Sequence, residues 1–140
     1  MKTEYKHNPP IPYSLHDMRV KRITLQKETI KLEFEYGYVK LVEPFDQVDG
    51  SITIEGVDFD SANVLMQSKW GEYGSFQGEK LRLSEFLKKY DWSSFEIVDE
   101  LYGYNQLLYS GYLSVKGTDD LIEMDISIYF TGNIIYETAE

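Results

Sequence analysis

The sequence contains no cysteine, and histidine is nearly missing too, with only His7 and His16. The first absence excludes disulfides, thiolate-bound zinc, iron–sulfur clusters and thiol nucleophiles. The second leaves too few imidazoles for a histidine-rich metal centre. Proline is confined: Pro9, Pro10 and Pro12 crowd one stretch and leave Pro44 alone. No apolar run approaches the ~20 residues of a membrane-spanning helix. The opening Met1-Lys2-Thr3-Glu4-Tyr5 lacks the apolar core of a signal peptide. Neither Gly-x-Gly-x-x-Gly nor Gly-Lys-Ser/Thr occurs, so no phosphate cradle is encoded. These absences lead to the expectation of a soluble, cytoplasmic protein.

What is present is aromatic and acidic. Twelve Tyr, seven Phe and two Trp in 140 residues exclude a disordered chain. That length suits one domain, large enough to build a core without metal or disulfide staples. The net charge is −10, and it is unevenly spread. Residues 1–40 carry 8 Lys/Arg against 5 Asp/Glu, whereas residues 41–140 carry 6 against 19. Binding to nucleic acid or anionic lipid depends on Lys and Arg, so both are disfavoured partners. A basic protein is the favoured one.

Residues 1–15 read as an extended Pro-rich arm, each proline fixing its own φ and biasing its predecessor away from helix. Residues 16–140 read as one β-rich domain. In Ile30–Tyr36 every even residue is apolar and every odd one charged, apart from Gly37 just beyond; in Ile122–Phe130 the alternation runs for nine residues. Period 2 is the signature of a half-buried antiparallel strand. Further strands are expected at Val64–Ser68, Phe76–Leu81, Phe95–Tyr102, Leu107–Val115 and Ile134–Thr138. Met18 and Val20 share one parity and Ile23 and Leu25 the other, which predicts a bulge near Lys21-Arg22. A similar slip between Ile54 and Val57 predicts one at Glu55-Gly56. Asp49-Gly50 and Gly132-Asn133 read as tight hairpin turns. Lys116–Asp120 and Gln26–Thr29 read as two further hairpin loops. Leu83, Phe86, Leu87 and Tyr90 make one helical stripe, so residues 84–90 are expected to form a short helix capped by Ser84. The fold expected is an antiparallel β-sandwich or flattened barrel of about eight strands with that one helix.

Three pieces carry a resemblance: Leu15-His16-Asp17 leading into Val20 and Ile23, the string Phe95–Asn105, and the tail Ile128–Tyr136. Together they resemble a group of short bacterial β-rich proteins built on a domain of unknown function. Some members of such groups act as immunity proteins that neutralise toxins. The resemblance therefore implies an inhibitory, non-enzymatic binding role, and it implies no catalytic residue.

The residues themselves point to no catalytic set, cofactor or metal site. His16-Asp17 has the composition of a general base with its orienting carboxylate, yet neighbours on a strand point to opposite faces. No nucleophile completes a triad. Asp46–Gly50 fails as a calcium loop, because Phe45 and Gly56 would occupy ligand positions. Asp99 shares parity with Phe95 and Ile97, so a regular strand would aim it into the core. A bulge turning it outward, burial with partners, and a functional pocket all remain open. Partner-binding candidates are Trp70, Tyr73 and Tyr104 as aromatic anchors, in Tyr/Gly-rich connections suited to recognition. Asp58, Asp60, Asp119 and Asp120 are the candidate steering charges. The alternative is a small-ligand or carbohydrate binder with an aromatic-lined cavity.

Overall fold

The computed structural model describes residues 1–5, 11–67 and 78–139. Trp70 and Tyr73 lie outside the described residues, as does the start of the strand expected at Phe76. The remainder is mainly β, with thirteen strand segments where about eight were expected. Ten form one antiparallel sheet in the order β1 (Lys2–Tyr5), β13 (Ile134–Thr138), β7 (Gly50–Glu55), β4 (Thr29–Phe34), β3 (Met18–Gln26), β10 (Trp92–Tyr102), β11 (Gln106–Val115), β12 (Leu121–Tyr129), β8 (Asn63–Met66), β9 (Glu79–Arg82). Three short strands, β2 (Tyr13–Ser14), β5 (Tyr38–Lys40) and β6 (Gln47–Val48), make a second sheet.

The large sheet curls over on itself. Val57 bridges Phe130, and the Asp58 amide donates to Tyr129 O at 3.1 Å. These links join the end of β7 to the end of β12, strands five places apart in the sheet order. The ends of the sheet, β1 and β9, are not paired to each other, so it is a sandwich-like flattened barrel rather than a closed one. Its interior holds the alternating residues of the two clearest strands. Ile30, Leu32, Phe34, Met124, Ile126, Ile128 and Phe130 are all buried, while Ile122 is only partly so. Each buried aliphatic or aromatic side chain contributes ~1.5–3 kcal/mol relative to exposure. The small sheet is fastened to the large one by aromatic packing. The Tyr13 ring lies 4.9 Å from that of Tyr38 and 5.0 Å from that of Tyr136. The Tyr38 hydroxyl sits 2.8 and 2.7 Å from the carbonyls of Ser51 and Glu137, which also fixes β5 against β7 and β13.

The register shift between Val20 and Arg22 is the bulge expected near Lys21-Arg22. The slip at Glu55-Gly56 is different: β7 ends at Glu55, and Gly56 takes φ +67 to leave the sheet. Asp49-Gly50 is not a hairpin. Strand β6 pairs with β5 whereas β7 pairs with β13 and β4, so this dipeptide carries the chain from one sheet to the other. Gly132-Asn133 is not a hairpin either, because β12 and β13 belong to different parts of the curled sheet. Its backbone instead exchanges hydrogen bonds with Glu55, Gly132 N–H to Glu55 O and Glu55 N–H to Asn133 O. The other two expected hairpins are formed: Gln26 pairs with Thr29 and Ser114 with Leu121.

Helix α1 spans Leu83–Lys89, one residue earlier than expected. Its N-cap is Arg82, not Ser84, and the Arg82 amide donates to Glu85 Oε1 at 3.4 Å. Leu83 and Phe86 face the core, and Phe86 stacks on Tyr90 at 5.5 Å. Among the described residues no helix is long and apolar enough to cross a membrane.

Candidate protein-binding surface

A β-bulge in β10 shapes the surface around it. Register shifts between Ile97 and Asp99, with Val98 the extra residue. The slip turns Asp99 outward, where it is exposed, and so answers the parity problem it posed in the sequence. The same slip inverts the parity of the residues that follow. Leu101 is consequently exposed, while Glu100 and Tyr102 point towards the interior. On β11 the bulge faces Gly111. A Cβ there would sit 1.8 Å from Glu96 O, so only glycine permits the approach.

The turn Leu15-His16-Asp17 docks on this bulge. The Leu15 amide donates to Glu100 Oε2 at 2.7 Å, and the Asp17 amide donates to Ile97 O at 2.7 Å. His16 Nδ1 lies 2.5 Å from Val98 O. Asp17 adopts φ +63, a left-handed conformation that breaks strand geometry. Its carboxylate therefore comes within 3.3 Å of His16 Nε2, although an extended backbone would have kept the two side chains apart. The hydrogen bond to Val98 O, and then the charge of Asp17, raise the His16 pKa above its ordinary value. Both side chains are exposed, and these contacts dock the turn on β10.

Behind the bulge lies a polar cluster inside the barrel. Burial pushes the Glu100 carboxyl above the usual carboxylate range, opposed by the Leu15 amide, the Tyr102 hydroxyl and His16. Burial also raises the phenols of Tyr102 and Tyr109, each reinforced by neighbouring groups in the cluster, including Tyr136 and Glu100. The Tyr102 and Tyr109 rings meet edge to face at 6.5 Å. Sequence reasoning passed over Glu100. The signal was available, because a bulge that turns Asp99 out necessarily turns Glu100 in.

The outer face of β10, β11 and β12 is acidic. Arg19, Glu96, Tyr112 and Glu123 form one cross-strand row, and Asp99, Ser110, Asp125 and Leu65 form another. Arg19 pairs with Glu96 at 3.6 Å. Tyr112 stands 40% exposed between these carboxylates. Around it opens a shallow recess of about 190 Å³ lined by Asp99, Gly111, Tyr112, Glu123 and Asp125. That is smaller than the ~300–1,000 Å³ of a typical small-molecule pocket.

The described partner-binding candidates divide between the two ends of β12. Asp58 caps a 3₁₀ turn, Phe59–Ser61, accepting from the Asp60 amide at 3.1 Å and the Ser61 hydroxyl at 3.2 Å. Asp60 lies 3.7 Å from Arg82. Both sit at the Tyr129 end of β12. Tyr104, 78% exposed, occupies the β10–β11 hairpin tip at that same end, since the Phe130 amide donates to Asn105 O. Asp119 and Asp120 sit in the turn at the other end of β12, where the Asp120 amide donates to Thr118 Oγ1. The nine residues of β12 separate the two pairs, roughly 30 Å at 3.3 Å per residue. Among the described residues no group of three His, Asp or Glu side chains is placed to hold a metal ion. No family model, curated protein or solved structure matches this chain.

Proposed function

We propose that this protein is a non-enzymatic binding module that captures a basic protein, in the manner of an immunity-type inhibitor of a cationic toxin. The observation that carries the reading is the outer face of β10–β12, where Glu96, Asp99, Glu123 and Asp125 surround a half-exposed tyrosine. Glu123 and Asp125 have no paired cation among the described residues, so their field is directed at solvent. A field of this kind raises the rate at which a cationic partner is encountered, and an exposed aromatic within it supplies contact area. The resemblance noted above supplies the toxin setting.

The test is binding kinetics with a basic protein recovered from the cells that make this chain, then purified. Glu123→Gln with Asp125→Asn should slow association about tenfold at low salt and much less at high salt. Tyr112→Ala should instead speed dissociation. Association indifferent to salt and to the double substitution would reduce the acidic face to a solubility device.

A further inference from the structure

We propose that the tip of the β5–β6 hairpin is the anchor with which this protein enters an apolar groove, rimmed by lysine and arginine, on a second protein. The six-residue connection Leu41–Asp46 exposes three large apolar side chains: Leu41 40%, Val42 66% and Phe45 54%. Tyr36, 60% exposed, lies beside the hairpin, its carbonyl accepting from Gln47 Nε2. Exposed apolar residues scattered singly are ordinary; several on one projecting tip mark an interaction site.

The tip is held in shape. The Phe45 amide donates to Val42 O at 2.8 Å, the Lys40 amide to Asp46 O at 2.9 Å, and the Leu41 amide to Pro12 O at 3.1 Å. Phe45 itself adopts φ +59, a conformation costly for a bulky residue and persistent only where the surroundings impose it. A backbone pinned in this way presents its apolar side chains without an ordering cost on binding.

Charge selects the occupant. Between residues 35 and 49 stand Glu35, Glu43, Asp46 and Asp49 against the single cation Lys40. Neither the Glu43 nor the Asp46 side chain is paired with a described cation. A second copy of a chain of net charge −10 is repelled at this tip, and so is an anionic bilayer. Six residues also fall well short of the ~20–30 a side of a stable interface. The tip therefore acts as a knob seated in a partner's groove, with carboxylates matched to a cationic rim. The partner's basic character rests on the function proposed above; the position of the anchor does not.

The experiment places a photo-crosslinking amino acid at position 42 of the full chain in the cells that make it. The crosslinked protein is identified, purified and titrated against the wild type and three variants. Val42→Asp and Phe45→Asn should each weaken binding about thirty-fold, the scale of a hot-spot anchor. Leu121→Ser, which alters an equally exposed apolar residue elsewhere, should leave affinity unchanged. Asn accepts positive φ better than Phe, so Phe45→Asn should lose binding without any fall in thermal midpoint. Four results overturn the inference: a basic partner whose affinity ignores the tip variants, crosslinks only between copies of this chain, binding of the isolated protein to anionic phosphatidylglycerol vesicles through the tip, or tip-dependent binding to a partner without a cationic rim. The first of these leaves the acid-steered function standing. The last overturns the rim and the function together.

Discussion

The Leu15 amide donates to Glu100 Oε2 at 2.7 Å across 85 residues of sequence, tying the N-terminal segment to an inward-turned carboxylate. Glu100 owes that position to the Val98 bulge, and the bulge in turn requires Gly111. One backbone irregularity thus sets an outward acid, an inward acid and the docking place of His16.

Stability should fall as pH rises above the ordinary glutamate range. Burial raises the Glu100 pKa in the folded state, so folding favours its protonated form. That contribution is complete below the unfolded pKa and is lost as pH climbs through the folded one. His16 adds a second loss of the same sign at higher pH, because its folded pKa also stands above 6.5. Urea denaturation from pH 4 to 9 should show both steps. Glu100→Gln keeps an acceptor for the Leu15 amide and should flatten the lower step. His16→Ala should remove only the upper one. A Glu100→Gln profile as steep as that of the wild type would show that another group titrates.

Gly111→Ala should destabilise by ~2–4 kcal/mol, since the new Cβ would collide with the Glu96 carbonyl across the bulge. Gly103→Ala, whose Cβ would find its nearest neighbour at 3.5 Å, should change stability by less than ~1 kcal/mol. Equal losses at the two positions would mean that the bulge yields easily.

Core truncation checks the strand faces. Phe34→Ala should cost ~3–5 kcal/mol and Ile126→Ala ~2–5 kcal/mol, because both are buried in the barrel. Tyr36→Ala lies two residues beyond Phe34 but is exposed, and it should stay within ~0.5 kcal/mol. Denaturation midpoints of the three variants decide the matter.

The strands were legible in the sequence wherever alternation was unbroken. Ile122–Phe130 and Ile30–Phe34 declare their buried faces residue by residue. Where parity slips, at Lys21, the bulge was legible too. The two misread turns share one physical cause. Asp-Gly and Gly-Asn report only that the chain bends; they carry no information about which strand it pairs with afterwards. That choice depends on how the sheet curls, and curling is set by contacts such as Val57 with Phe130. The same limit explains the scattered site residues. Asp58 and Asp119 look alike in sequence, as acids in loops, yet β12 holds them at opposite ends.

Asp58 and Asp119 should therefore behave differently when neutralised. Asp58 accepts two hydrogen bonds at the start of the 3₁₀ turn, so Asp58→Ala removes a cap and should cost ~0.5–2 kcal/mol. Asp119 is exposed in its hairpin turn, and Asp119→Asn should leave stability within ~0.5 kcal/mol. Ionic strength separates structure from steering. The loss at Asp58 comes from short-range hydrogen bonds and should persist at 1 M salt, where the Debye length is only about 3 Å. A loss that vanishes in salt would make Asp58 a long-range charge and return it to the steering set.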